Sequence, residues 1–214
     1  MTNSYYVYGV LNETTLDVTV TGVEGATEIK TIDYPPFSAV VSDIDTEQPE
    51  ETDENARAHD DVLQAVMQLD GGTTVVPMRF GMVFDSARGV KNILRGGRRA
   101  FTKALRDTEG KVELGVKLVA KPDAEMDTEV IHKDVVARLD DVAEQAADGD
   151  YFSDLLVLNK SYLVAIENRD AFDTVVEEIE AEYPDFRVQY TGPWAPYNFV
   201  DIEISGERSN VAGR

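Results

Sequence analysis

Ten consecutive residues, Val75 to Phe84 (VVPMRFGMVF), constrain the fold more than any other stretch of the chain. An almost wholly apolar run in polar, acidic surroundings has to be buried or covered by a partner. Pro77 has no N–H to give a sheet ladder, so the run reads as a strand through Val76 that ends, or lies at an edge, at the proline. Arg79 sits in the middle of the run. A cation there is expected to be a structural tie to a nearby carboxylate or carbonyl at a domain junction, and not a catalytic group.

The segments before this run alternate in the manner of strands. Tyr5 to Val10 is aromatic and β-branched on both parities, as in a strand buried on both faces. Thr27 to Ile32 and Phe37 to Ile44 flank Tyr34-Pro35-Pro36 and read as a hairpin. Thr52 or Asp53 caps a helix to about Leu69, with Ala58, Val62, Ala65, Val66 and Leu69 on one face and Gly71 and Gly72 as its stop. After the run, Ser86 caps a helix to about Glu109 on which Val90, Ile93, Leu94, Phe101, Ala104 and Leu105 recur at helical spacing. Gly96 and Gly97 interrupt it and predict close packing or a kink. Beyond Gly110 the pattern is a strand at Val112–Val119 and a helix at 128–147, then one or two strands within 155–166. A helix at 170–183 and strands at 186–190 and 199–204 complete it.

This order predicts an α+β chain of two ferredoxin-like α/β units joined by a basic helix: 1–85, 86–109 and 110–204, with a flexible tail at 205–214. The first unit lacks an obvious first helix.

Charge is the other strong constraint. Forty-one Asp and Glu face 20 Lys and Arg, a net charge of −21 spread along the whole length. With no block of acid to form a tail, the distribution fits a halophilic cytoplasm, where dissolved salt screens a self-repelling surface. Seven of the 20 cations, Arg88, Lys91, Arg95, Arg98, Arg99, Lys103 and Arg106, fall in the 86–109 helix, a positive face on a negative molecule. The absence of cysteine excludes disulfides, thiolate nucleophiles and Cys-ligated metals, and no basic-then-apolar leader or eighteen-residue apolar run is present. A soluble cytoplasmic protein is expected.

No catalytic, cofactor or metal constellation stands out. His59 and His132 are the only histidines, neither in a ligand motif, and His59 reads as an exposed residue of an acidic helix. RGGRR at 95–99 lacks the Walker lysine and hydroxyl. YYVYGV and RFGMVF are superficially like the aromatic strands of an RNA-recognition module, but the glycine pattern fails and the net charge opposes polyanions. Interaction candidates are Arg79, Phe80, Arg95, Arg98, Arg99 and Trp194, the sole tryptophan.

Taken together, YYVYGV, VVPMRFGMVF, LNKSYLVAIE followed by DAF, and YTGPWAPYNFVDI resemble the GvpF/GvpL family of gas vesicle proteins, in order and from Tyr5 to about Ile204. The acidic composition is similar to that of a haloarchaeal member. The resemblance implies a non-enzymatic two-domain accessory protein of gas vesicle formation, without cofactors, cytoplasmic and associated with the vesicle. It also implies the shell protein GvpA and other accessory Gvp proteins as partners, and neither nucleic acid nor a lipid membrane. A ferredoxin-like RNA-binding or small-ligand module is the alternative.

Overall fold

The computed structural model describes residues 4–69, 72–122 and 127–202. The expected tail at 205–214, and Gly71 of the expected helix stop, lie outside them. The chain divides into two compact units, 1–109 together with 200–214, and 110–199.

In the first unit β1 (Ser4–Asn12) pairs antiparallel with β3 (Phe37–Ile44), and β3 with β2 (Ile29–Tyr34). A single 3-10 turn at Val23–Gly25 stands where a crossover helix would otherwise be. β4 (Val76–Pro77) takes the other edge of β1, giving the order β2-β3-β1-β4. Tyr8 is an extra residue opposite β3, and this bulge moves the alternation so that Val7 and Val10 face the same way. They join Phe37, Ala39 and Val41 in one core. The opposite face carries Tyr6, bonded to His59 of α1 (Asp53–Met67). β1 is therefore covered on both sides, as its doubly apolar sequence requires. Thr52 caps α1 by accepting from the Asn55 N–H, and His59, Val62, Leu63 and Val66 form its buried stripe. This stripe is rotated from the expected one, which ran through Ala58, Ala65 and Leu69.

The basic segment is two helices, α2 (Ala87–Gly96) and α3 (Arg98–Asp107), broken at Gly97. Val90, Leu94, Phe101, Ala104 and Leu105 pack into the Val7–Phe37–Val41 core, so the segment belongs to the first unit and is not a free connector. Its apolar spacing already demanded such a cover, because a helix with that stripe exposed would not be stable alone.

The two glycines at the break behave oppositely. A Cβ at Gly97 would lie 2.6 Å from the ring of Phe101, which is fully buried and cannot yield, whereas a Cβ at Gly96 meets nothing. Gly96→Ala should stabilise the protein by about 0.5–1 kcal/mol, the helical cost of glycine. Gly97→Ala should destabilise it by about 1–3 kcal/mol, as overpacking does. Urea midpoints of the two variants should move to opposite sides of the parent, and a shared sign would contradict this packing.

In the second unit β6 (Lys111–Ala120) lies between β8 (Leu156–Ala165) and β9 (Phe186–Trp194), with β7 (Gln145–Asp148) outside β8, all antiparallel. Numbered from its own first strand, each sheet reads 2-3-1-4. The helices α4 (Thr128–Val142) and α5 (Arg169–Glu182) bury Ile131, Val135 and Leu139, and Phe172, Val176 and Ile179. Tyr162 of β8 meets Phe172 with ring centroids 5.4 Å apart, which marks Leu114, Val116 and Leu118 as the helix-facing side of β6. Arg138 ties the helices by donating to Glu178 at 3.0 Å and Glu182 at 2.8 Å.

Two expectations fail here. The helix expected to reach Ala147 stops at Val142, and Gln145–Asp148 becomes β7. Ala, Glu and Gln favour helix locally, but pairing with Leu163–Lys160 of β8 overrides a preference worth only tenths of a kcal/mol per residue. The strand expected at 199–204 is absent from the described residues up to Ile202. Tyr197–Phe199 is a 3-10 turn, fastened where the buried Glu113 carboxylate accepts from the Asn198 N–H at 2.9 Å and its Nδ2 at 2.6 Å. Val200 and Ile202 then pack against the core of the first unit, to which they belong.

Candidate functional site

The apolar run becomes a split edge. Val76 and Pro77 pair with Val10 and Gly9, and the Met78 N–H donates to the Tyr8 carbonyl at 2.8 Å. The chain then leaves β1 and rejoins it where the Val7 N–H donates to the Met82 carbonyl at 2.8 Å, continuing as β5 (Val83–Phe84) opposite Tyr6 and Tyr5. Pro77 is tolerated here because the bond from the Met78 N–H makes Gly9–Pro77 a non-hydrogen-bonded pair, at which β1 asks no N–H of the proline.

Arg79, Phe80 and Gly81 form the tip of the excursion. Phe80 is half-buried, its ring edge-on to Tyr6 and to His59 with centroids 5.8 and 6.1 Å away. Arg79 is exposed and makes no ion pair among the described residues, so the expected tie to a carboxylate is not formed. The Tyr6 hydroxyl holds the tip instead. It accepts a long bond from the Gly81 N–H, 3.3 Å, and lies 2.8 Å from Nδ1 of His59.

His59 overturns its sequence reading. It is 3 % exposed, and burial pulls its pKa down from 6.5 to about 4, against the opposing pull of a hydrogen bond with the Met78 backbone. Burial also pushes the Tyr6 and Tyr8 phenols up. Spacing contained the signal: His59 stands at i, i+3, i+4 and i+7 with Val62, Leu63 and Val66, a complete helical stripe. With Tyr6 and Tyr8 at 0 % exposure, two of the three aromatic rings of YYVYGV are closed to bases and only Tyr5 is left partly exposed, so the RNA reading loses its stacking platform.

The same unit carries the cationic stripe. Arg88, Lys91, Arg95, Arg98, Arg99, Lys103 and Arg106 are all exposed, on the side of α2 and α3 away from their buried residues. Lys103 and Arg106 share Asp107 at 2.6 and 3.0 Å, and Arg98 reaches the Pro35 carbonyl only at 3.5 Å. Arg88, Lys91, Arg95 and Arg99 have no ion pair among the described residues. The positive face is not used up in neutralising neighbouring carboxylates. Trp194, in the second unit, ends β9 half-buried opposite Glu113.

No helix among the described residues is long and apolar enough to cross a membrane.

The family model described as gas vesicle synthesis protein GvpL/GvpF matches residues 4–153 and 123–201. The chain is 50 % identical to gas vesicle protein F1 of Halobacterium salinarum, over 97 % of this chain and 98 % of that one. It is 49 % identical to gas vesicle protein F of Haloferax mediterranei, over the same shares. Its fold is similar to the crystal structure of the gas vesicle protein GvpF from Anabaena sp. PCC7120, with a TM-score of 0.85 at 21 % identity, covering 96 % of this chain and 99 % of that one.

Proposed function

The chain belongs to the GvpL/GvpF family of gas vesicle synthesis proteins, and on that premise we propose that it is a non-enzymatic assembly factor that docks the shell protein GvpA on its first unit. Shell subunits must present apolar surface before they assemble, and a reversible partner would suppress their aggregation. The observation that carries this reading is the cationic stripe of α2 and α3, five of whose seven cations make no ion pair among the described residues, on a chain of net charge −21. Arg79 adds a further exposed cation at the split edge, next to the half-buried Phe80. In the second unit Trp194 is a candidate anchor for other accessory Gvp proteins. Such a chain works in the cytoplasm at the growing vesicle, without nucleic acid, lipid membrane or cofactor. Both sheets, in the order 2-3-1-4, are read as ferredoxin-like, the first with its first helix replaced by a loop and a 3-10 turn.

Reversing Arg95, Arg98 and Arg99 to Glu tests the stripe. All three are exposed, so the thermal midpoint should hold while capture of purified GvpA falls by about tenfold or more, as charge reversal at an interface produces. Unchanged capture by a folded triple variant would remove the stripe from the interface.

A further inference from the structure

The tip of the β7–β8 hairpin, residues 149–155, is built in a way that neither the fold nor the stripe explains. Six large apolar side chains are exposed among the described residues, and three of them, Tyr151 at 51 %, Phe152 at 74 % and Leu155 at 43 %, lie in this one loop. Scattered exposed apolar residues need no explanation, but a cluster at a loop tip does. The loop is also fastened. The Gly149 N–H donates to the Asn159 carbonyl at 2.8 Å, and Asn159 Nδ2 donates to the Asp150 carbonyl at 2.8 Å. At the other root the Leu156 N–H donates to the Ser153 carbonyl at 3.0 Å, and the Ala120 N–H to the Leu155 carbonyl at 2.8 Å. Lys117 places its ammonium 5.5 Å from the centre of the Phe152 ring. An aromatic pair held ready on a pre-ordered loop is the form of an interface anchor, because little entropy remains to be lost on binding.

Charge indicates what fits. Asp148, Asp150 and Asp154 surround the apolar side chains and are exposed, and among the described residues only Asp148 is answered by an ion pair, with Lys160 at 2.8 Å. An acidic apolar tip is repelled by anionic lipid and by nucleic acid. It suits a protein pocket that is apolar at its floor and bordered by lysine or arginine.

We propose that residues 149–155 form a second docking element, inserting Phe152 and Tyr151 into a lysine- or arginine-rimmed apolar pocket of a protein other than the shell subunit. It rests on the assembly role above, and would make the chain an adaptor that holds the shell protein through one unit and a second component through the other.

The test uses the full chain in molar salt, with immobilised GvpA and each other Gvp protein of the same host, purified, as probes. Phe152→Ser and, separately, Asp150→Lys with Asp154→Lys are compared with the parent. Phe152 is largely exposed, so Phe152→Ser should leave the thermal midpoint in place. The expected result is at least tenfold weaker binding of one Gvp protein by both variants, with GvpA capture retained. Equal binding of every probe by Phe152→Ser overturns the proposal. Loss of GvpA together with the second protein also overturns it, since the tip would then not be separate. Loss only of self-association in sedimentation, or of binding to phosphatidylglycerol vesicles, assigns the tip to a second copy or to lipid and overturns it as well. The stripe variant, read on GvpA alone, fails or succeeds independently.

Discussion

Acidification from pH 6.5 to about 4 should cost the folded protein about 3 kcal/mol through His59 alone. Above pH 6.5 the imidazole is neutral in both states and the stability is fully present. Below it the unfolded chain takes up a proton that the folded chain refuses until about pH 4, so the unfolded state gains throughout that window. Burial is the cause of the refusal, and it outweighs the hydrogen bond with the Met78 backbone, which pulls the other way. Many carboxylates titrate in the same range, so the prediction concerns a difference. Urea unfolding followed by circular dichroism at constant molar salt, for the parent and for His59→Gln, should give stabilities that converge as the pH falls. Glutamine keeps an acceptor for Tyr6 and does not titrate. It should cost about 1–2 kcal/mol at pH 7, as an imperfectly replaced buried bond does. Parallel pH profiles would mean that His59 charges freely in the folded protein.

Local chemistry made some of the architecture legible and left other parts hidden. The β2–β3 hairpin, the Thr52 and Ser86 caps and the doubly buried β1 follow from turn residues, capping oxygens and alternation over a few residues. The misread places are those where a distant partner decides. Gln145–Asp148 has helical composition and is a strand because β8 offers it a ladder. The apolar residues after Tyr197 alternate, yet the chain turns there because Glu113, 85 positions earlier, holds Asn198. Of the candidate interaction residues, Arg79, Arg95, Arg98 and Arg99 are exposed, while Phe80 is partly spent on Tyr6 and His59. The hairpin tip at 149–155 has no signature in the sequence, since Tyr151, Phe152 and Leu155 stand directly before an apolar strand and only their exposure separates them from Leu156, Val157 and Leu158, which are buried.

Gly9→Val should destabilise the first unit by about 3 kcal/mol or more, the upper end of overpacking in a core. Gly9 pairs with Pro77, and even a Cβ there would stand 2.9 Å from the Val76 carbonyl oxygen, 2.7 Å from Cγ2 of Val75 and 3.0 Å from Cδ2 of Leu63. Two of those neighbours are side chains at 1 % exposure with nowhere to go, and the third is backbone. Valine adds two methyl groups to the same space. Relief is available only by parting β4 from β1, which breaks the bond from the Met78 N–H to the Tyr8 carbonyl and releases the root of the Arg79 tip. The split edge therefore depends on a residue outside the apolar run: VVPMRFGMVF can follow β1 this closely because YYVYGV has no side chain at Gly9. Gly9→Ala should fall between the parent and Gly9→Val in urea midpoint, and hydrogen exchange at Met78 should rise in the same order. A Gly9→Val protein with the parent's midpoint and a protected Met78 amide would show that β4 does not approach β1 in this way.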